Sequence, residues 1–189
     1  MKKKLLCFFI GALALGGFTA KAQNYEPLTI SSGLTADMIA NGTGNASTTT
    51  SLAVDDANYN FISTDLQATA TSALACYGLP SSGSVISAVT PGLTFQLASL
   101  SANNSLRIVN QNGTGTLAFS NNVAASNIYL LATSGSGAST VTALITFTDN
   151  TTPPATTGLP VPAWFDSTLQ PVAFSGFGRV RSEERRVGK

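Results

Sequence analysis

The side chains that could do chemistry in this chain are few and unevenly placed. Six aspartates, Asp37, Asp55, Asp56, Asp65, Asp149 and Asp166, supply carboxylates for acid–base work or for a hard cation. Glycoside hydrolysis needs two such groups facing each other across a cleft, one with a raised pKa. Asp149 sits in a turn pattern and Asp55-Asp56 at the entry to a strand, where carboxylates ordinarily cap turns. Asp55-Asp56-Ala57-Asn58 also concentrates several oxygen ligands of the kind calcium takes, without EF-hand spacing. Asp55, Asp56 and Asn58 are therefore candidate calcium ligands, with Asx-type turn bonding as the alternative. No other cofactor is expected. Trp164, the only tryptophan, follows Pro160-Val-Pro162 and precedes Phe165-Asp166. The prolines impose an extended approach, and the ring either packs at the rim of a core or stacks on a sugar face. Arg107 alternates with Leu106 and Ile108 and so points away from the core, toward a ligand or an aspartate. Trp164, Arg107, Tyr129 and Asp166 are the candidate ligand-binding residues.

Histidine is absent from all 189 residues. That removes Ser-His-Asp and Cys-His catalysis and the commonest transition-metal ligand. Ser134-Gly-Ser-Gly137 has no lysine to complete a phosphate loop and reads as a flexible turn. The chain is expected not to be an enzyme. Between Asn24 and Val180 two arginines, Arg107 and Arg179, face seven carboxylates, a net charge of −5 with no lysine. Nucleic acid, which is held by cations that neutralise phosphates, is excluded as a partner. An anionic membrane surface is an equally poor one.

The elements that must position these residues are strands. Thr140 to Thr148 places Val141, Ala143, Ile145 and Phe147 on one face and threonines on the other, the period of a half-buried strand. Leu93, Phe95 and Leu97 alternate in the same way, as do Leu117 with Phe119 and Tyr59 with Phe61. Asn127 to Ala132 is continuously apolar, as for a central strand covered on both sides. Turn chemistry at Pro80-Ser-Ser-Gly83, Pro91-Gly92, Asn112-Gly113 and Asp149-Asn150 separates these runs. Residues 31–51 are less regular; a short helical turn is expected around Ala36 to Ala40, with Leu34, Met38 and Ile39 docking on the core. Closely spaced strands without intervening helices indicate an all-β antiparallel two-sheet sandwich of jelly-roll type.

The two ends carry different signals. Met1-Lys2-Lys3-Lys4, the 14 apolar residues Leu5 to Phe18 and the small-residue site Ala20-Lys21-Ala22 form a secretory signal peptide over residues 1–22. A membrane anchor would need about 18 apolar residues. The chain is thus expected to be exported, secreted or held at the cell surface, without membrane insertion. Export implies an oxidising destination, yet Cys76 is the single cysteine beyond that leader, so no internal disulfide is possible. Cys76 is expected to act as a small buried hydrophobe. At the far end, Arg181-Ser-Glu-Glu-Arg-Arg-Val-Gly-Lys189 is identical to the translation of a common short-read sequencing adapter. Residues 181–189 are therefore expected to be an artefact tail on a β-sandwich domain of residues 23–180 whose C-terminal end is truncated.

The leader ending in Ala-Lys-Ala-Gln, together with Gly33-Leu-Thr-Ala-Asp-Met-Ile-Ala-Asn-Gly42 and Val54-Asp-Asp-Ala-Asn-Tyr-Asn-Phe61, resembles secreted proteins of the Bacteroidota type. The resemblance implies a type IX secretion sorting domain in the missing C-terminal part. Ile128 to Thr133, the Gly/Ser loop, Thr148-Asp149-Asn150 and Pro162-Ala-Trp-Phe165 resemble galactose-binding-like jelly rolls of extracellular glycan-handling proteins. Those are framework motifs. They imply a non-catalytic carbohydrate-binding or cell-surface module, with a polysaccharide or surface glycan as partner. A structural or adhesive spacer, or an accessory domain of a glycan-degrading enzyme, fits the same residues.

Overall fold

A computed structural model describes residues 24–166 and 172–182. The signal-peptide segment and residues 183–189 of the expected tail lie outside the described residues. The order is β1 (Ile30–Ser32), β2 (Ile39–Ala40), α1 (Ala46–Thr49), β3 (Tyr59–Ile62), β4 (Ser84–Ile86), β5 (Thr94–Gln96), β6 (Ala118–Phe119), β7 (Ser139–Ala143), β8 (Thr156–Val161) and β9 (Arg179–Arg181). The fold is all-β: its strands join into small sheets, and the one helix among the described residues is a single turn. No helix among the described residues is long and apolar enough to cross a membrane.

Pairings β1–β6, β4–β5, β7–β8 and β3–β9 are antiparallel, whereas β2 and β3 run parallel in the three-stranded sheet β2-β3-β9. A parallel pair cannot be closed by a tight turn and needs a crossover. That requirement accounts for the irregular stretch after β2. The helical turn expected around Ala36 to Ala40 is instead placed at Ala46–Thr49, inside the crossover, and Ile39–Ala40 is strand. The helix stays short because the Thr48 and Thr49 hydroxyls donate back to the Asn45 carbonyl and that of Thr50 to Ala46, at 2.7–3.2 Å.

The core lies around β3. Ile39, Leu79, Val85 and Leu100 pack with Phe61, Phe95, Leu97, Phe174 and Phe177; Ala36, Met38 and Val54 pack with Phe61 and Trp164. Ala40, Ala46 and Ile62 form a third cluster with Leu66, Ala75 and Val180. Phe61 belongs to two clusters while its neighbour Ile62 belongs to the third, so β3 is covered on both faces. Met38 and Ile39 dock as their apolar character requires, and Leu34 is half-buried.

Three expectations are corrected. Asn127 to Ala132 is not a central strand: it joins no strand, and Ile128, Tyr129, Leu130 and Leu131 are 40–59 % exposed. Apolar continuity records which residues would gain from cover, and these four stay 40–59 % exposed although Tyr129 packs on Tyr25. Thr140 to Thr148 pairs as a strand only to Ala143, and Leu144, Ile145 and Phe147 are exposed beyond it. Cys76 is exposed, because Ala75 turns inward against the Ile62 cluster and its neighbour turns out. β9 runs on either side of Val180: Arg181 pairs with Tyr59, and the Ser182 N–H donates to the Asn58 carbonyl at 2.8 Å.

Candidate functional site

The candidate residues converge where the entry to β3 meets the segment after β8. Asp55 is buried, and its carboxylate organises the turn that starts the strand. Oδ1 accepts the N–H groups of Ala57 and Tyr59, both at 3.0 Å, while Asn58 between them adopts a φ of 63°. Asparagine tolerates that left-handed conformation better than most side chains. Oδ2 accepts the indole Nε1–H of Trp164 at 3.2 Å. One carboxylate thereby fixes both a strand entry and the tryptophan, 109 residues later in the chain.

Trp164 is held at its position by backbone bonds on either side. Ala163 forms an isolated parallel bridge with Ser134, the Trp164 N–H donates to the Ser134 carbonyl at 2.9 Å, and Asp166 N–H donates to Ala163 at 3.0 Å. The indole packs on the Ala36, Met38 and Val54 cluster, edge-on to Phe61 at 6.0 Å and tilted against Tyr59 at 6.0 Å. The Arg179 guanidinium lies over Trp164 at 4.8 Å and over Tyr59 at 4.4 Å, and Arg181 lies over Tyr59 at 5.2 Å. Cross-strand pairing explains this layout: Tyr59 faces Arg181 and Phe61 faces Arg179, so rings and guanidinium groups share one face of the β3–β9 ladder.

Trp164 itself is half-buried among these contacts, and the ring exposed beside it is Phe165. Phe165 is 60 % exposed and stands at 90° to Trp164 with centroids 5.6 Å apart. Trp164 acts as its buttress. Neighbouring groups supply polar contacts in the same region: Asp56, whose Oδ2 accepts the Ser136 hydroxyl at 3.4 Å, half-buried Asp166, and exposed Arg179.

The other two expected ligand residues sit elsewhere. Tyr129 packs edge-on to Tyr25 at 5.7 Å; burial, followed by the adjacent Tyr129, raises the Tyr25 phenol above its ordinary pKa. Arg107 is placed by its backbone N–H, which donates to the Thr35 hydroxyl at 2.9 Å. Neither is among the contacts of Trp164 given above. Sequence reasoning missed Tyr59, Phe165 and Arg179 as a group. The signal was present in the alternations Tyr59/Phe61 and Arg179/Arg181, but nothing local says that the two strands pair.

As for calcium, both oxygens of Asp55 already accept N–H donors of the chain, which compete with a cation for the same lone pairs. Among the described residues no group of three or more Asp, Glu, His or Cys side chains is gathered to hold a metal. The Asp55–Asn58 loop closes as an Asx-type turn with the protein's own donors. Comparison with protein-family models, curated proteins and solved structures gives no match.

Proposed function

We propose that this chain is an exported, non-catalytic β-sandwich module of jelly-roll type that binds carbohydrate, as part of a larger secreted or surface protein. The finer fold reading is supported by antiparallel pairings that join remote segments, β1 with β6 and β3 with β9. The observation that carries the binding reading is Phe165, an exposed ring held edge-on by a tryptophan that is itself clamped by Asp55, Tyr59 and Arg179. An exposed aromatic face fixed from behind is what stacking on a pyranose requires, and flanking Asp and Arg groups suit sugar hydroxyls. A spacer would not require its exposed ring to be buttressed in this way.

Screening the full chain against an array of neutral and acidic glycans tests the reading. Binding to at least one class is expected, weakened by Phe165→Ala at unchanged melting midpoint. Silence across the array overturns it.

A further inference from the structure

We infer that a second cleft, at the opposite end of β3 from Asp55, reads the hydroxyl groups of a neutral sugar. This inference rests on the carbohydrate reading above. The cleft has a volume of about 340 Å³ and is lined by Asn41, Asp65, Ser81, Ser82, Gln96 and Ser101, among others. That size falls in the range of small-ligand sites.

Its polar groups are oriented in advance. Gln96 is exposed, yet its amide nitrogen donates to the Ser82 and Leu97 carbonyls at 3.0 and 3.3 Å. With the nitrogen committed to the backbone, Oε1 is left as an acceptor that no described residue engages. The arrangement depends on Gly83, whose φ is +72° and where a Cβ would come within 2.9 Å of Gln96 Nε2. Asp65 is fixed in a comparable way: the hydroxyl of fully buried Ser63 donates to Oδ1, leaving Oδ2 as the second acceptor. Buried Asn41 closes the floor, donating to the Ile39 carbonyl at 2.9 Å and to that of Leu100, and accepting the Ser101 hydroxyl at 3.2 Å.

The chemistry of this lining selects the ligand. Two fixed acceptors want hydroxyl donors, while the serine hydroxyls can donate or accept. No lysine or arginine among the described residues lines the cleft, and Asp65 repels anions. Side chains ordered before binding lose little freedom when the ligand arrives. A vicinal diol of an uncharged sugar unit meets these conditions; a uronate or a sulfated sugar does not.

The test is calorimetric titration of the full chain with three neutral polysaccharides, dextran, xylan and galactomannan, and with polygalacturonate as the acidic probe. Binding of at least one neutral polymer is expected, weakened about fivefold by Asp65→Asn and by Gln96→Met. Gln96 is exposed, so Gln96→Met decides the matter if Asp65→Asn lowers the melting midpoint. Unchanged affinity in Gln96→Met, or tighter binding of polygalacturonate than of the neutral polymers, overturns the cleft while the Phe165 face stands. Absence of binding to every polymer, here and on the glycan array, removes both.

Discussion

At the residue scale Asp55 is the pivot of the site. Its carboxylate accepts two backbone N–H groups and the Trp164 indole, so it couples the start of β3 to the segment carrying Phe165. Trp164→Phe keeps most of the packing and removes one bond to a carboxylate acceptor, a loss of about 1.5–3 kcal/mol. Asp55→Ala leaves three donors without their acceptor and is expected to cost about 3 kcal/mol, read by urea unfolding. Because those donors already satisfy Asp55, added calcium should leave the melting midpoint unmoved. A rise that a chelator reverses would make Asp55, Asp56 and Asn58 the ligands. Asp37 gives the pH signature. Burial raises its pKa above the ordinary 3.8, against the lowering effect of its bonds to Asn104 and Ile39 N–H. The folded state therefore holds more protons than the unfolded one in the interval above that value, and Asp37 makes stability fall as pH rises through it. Asp37→Asn should flatten that slope, measured as unfolding free energy between about pH 3 and 6.

At the element scale, the sequence made strand character legible wherever alternation was strong, and left pairing partners illegible. Tyr59/Phe61 reads as a strand from its own residues, but its parallel neighbour Ile39–Ala40 is two residues long and too short to show any period. The helical turn was displaced for the same reason: the crossover that parallel pairing demands is a tertiary fact. Trp164 was singled out by its type, whereas Phe165 is the exposed ring and Asp55 and Arg179 engage its neighbour. Asp149 was legible in full, since its turn is local: Oδ1 accepts the Thr151 N–H at 2.8 Å and hydroxyl at 2.6 Å, which lowers its pKa, and Asn150 takes a φ of 63°. Gly33 gives an element-level test. Its φ is +102°, and a Cβ would sit 1.9 Å from the Thr116 carbonyl oxygen just before β6. Gly33→Ala should separate β1 from β6 and lower stability by about 2 kcal/mol or more in thermal unfolding.

At the scale of the whole molecule, cover is uneven. The buried clusters draw on residues 36–100 and on residues 164–180, while Ile108, Val109, Phe119, Ile128, Leu130, Leu144 and Phe147 between them are exposed. Apolar surface on that scale binds hydrophobic dyes and favours association. The folded chain should enhance the fluorescence of such a dye. Leu144→Asp, at a position 64 % exposed, should reduce the signal while changing stability by less than about 0.5 kcal/mol. The binding claim belongs to this scale too, because the β3 entry, the segment after β8 and β9 must come together to make the Phe165 face. Trp164 is the sole tryptophan and lies directly behind that ring, so its emission reports on the site without a label. The most direct test is titration of that emission with the glycans of the array. A saturable change that disappears in Phe165→Ala, with the variant still folded, is the expected result; an emission that no glycan alters, or a change that persists in Phe165→Ala, contradicts the account.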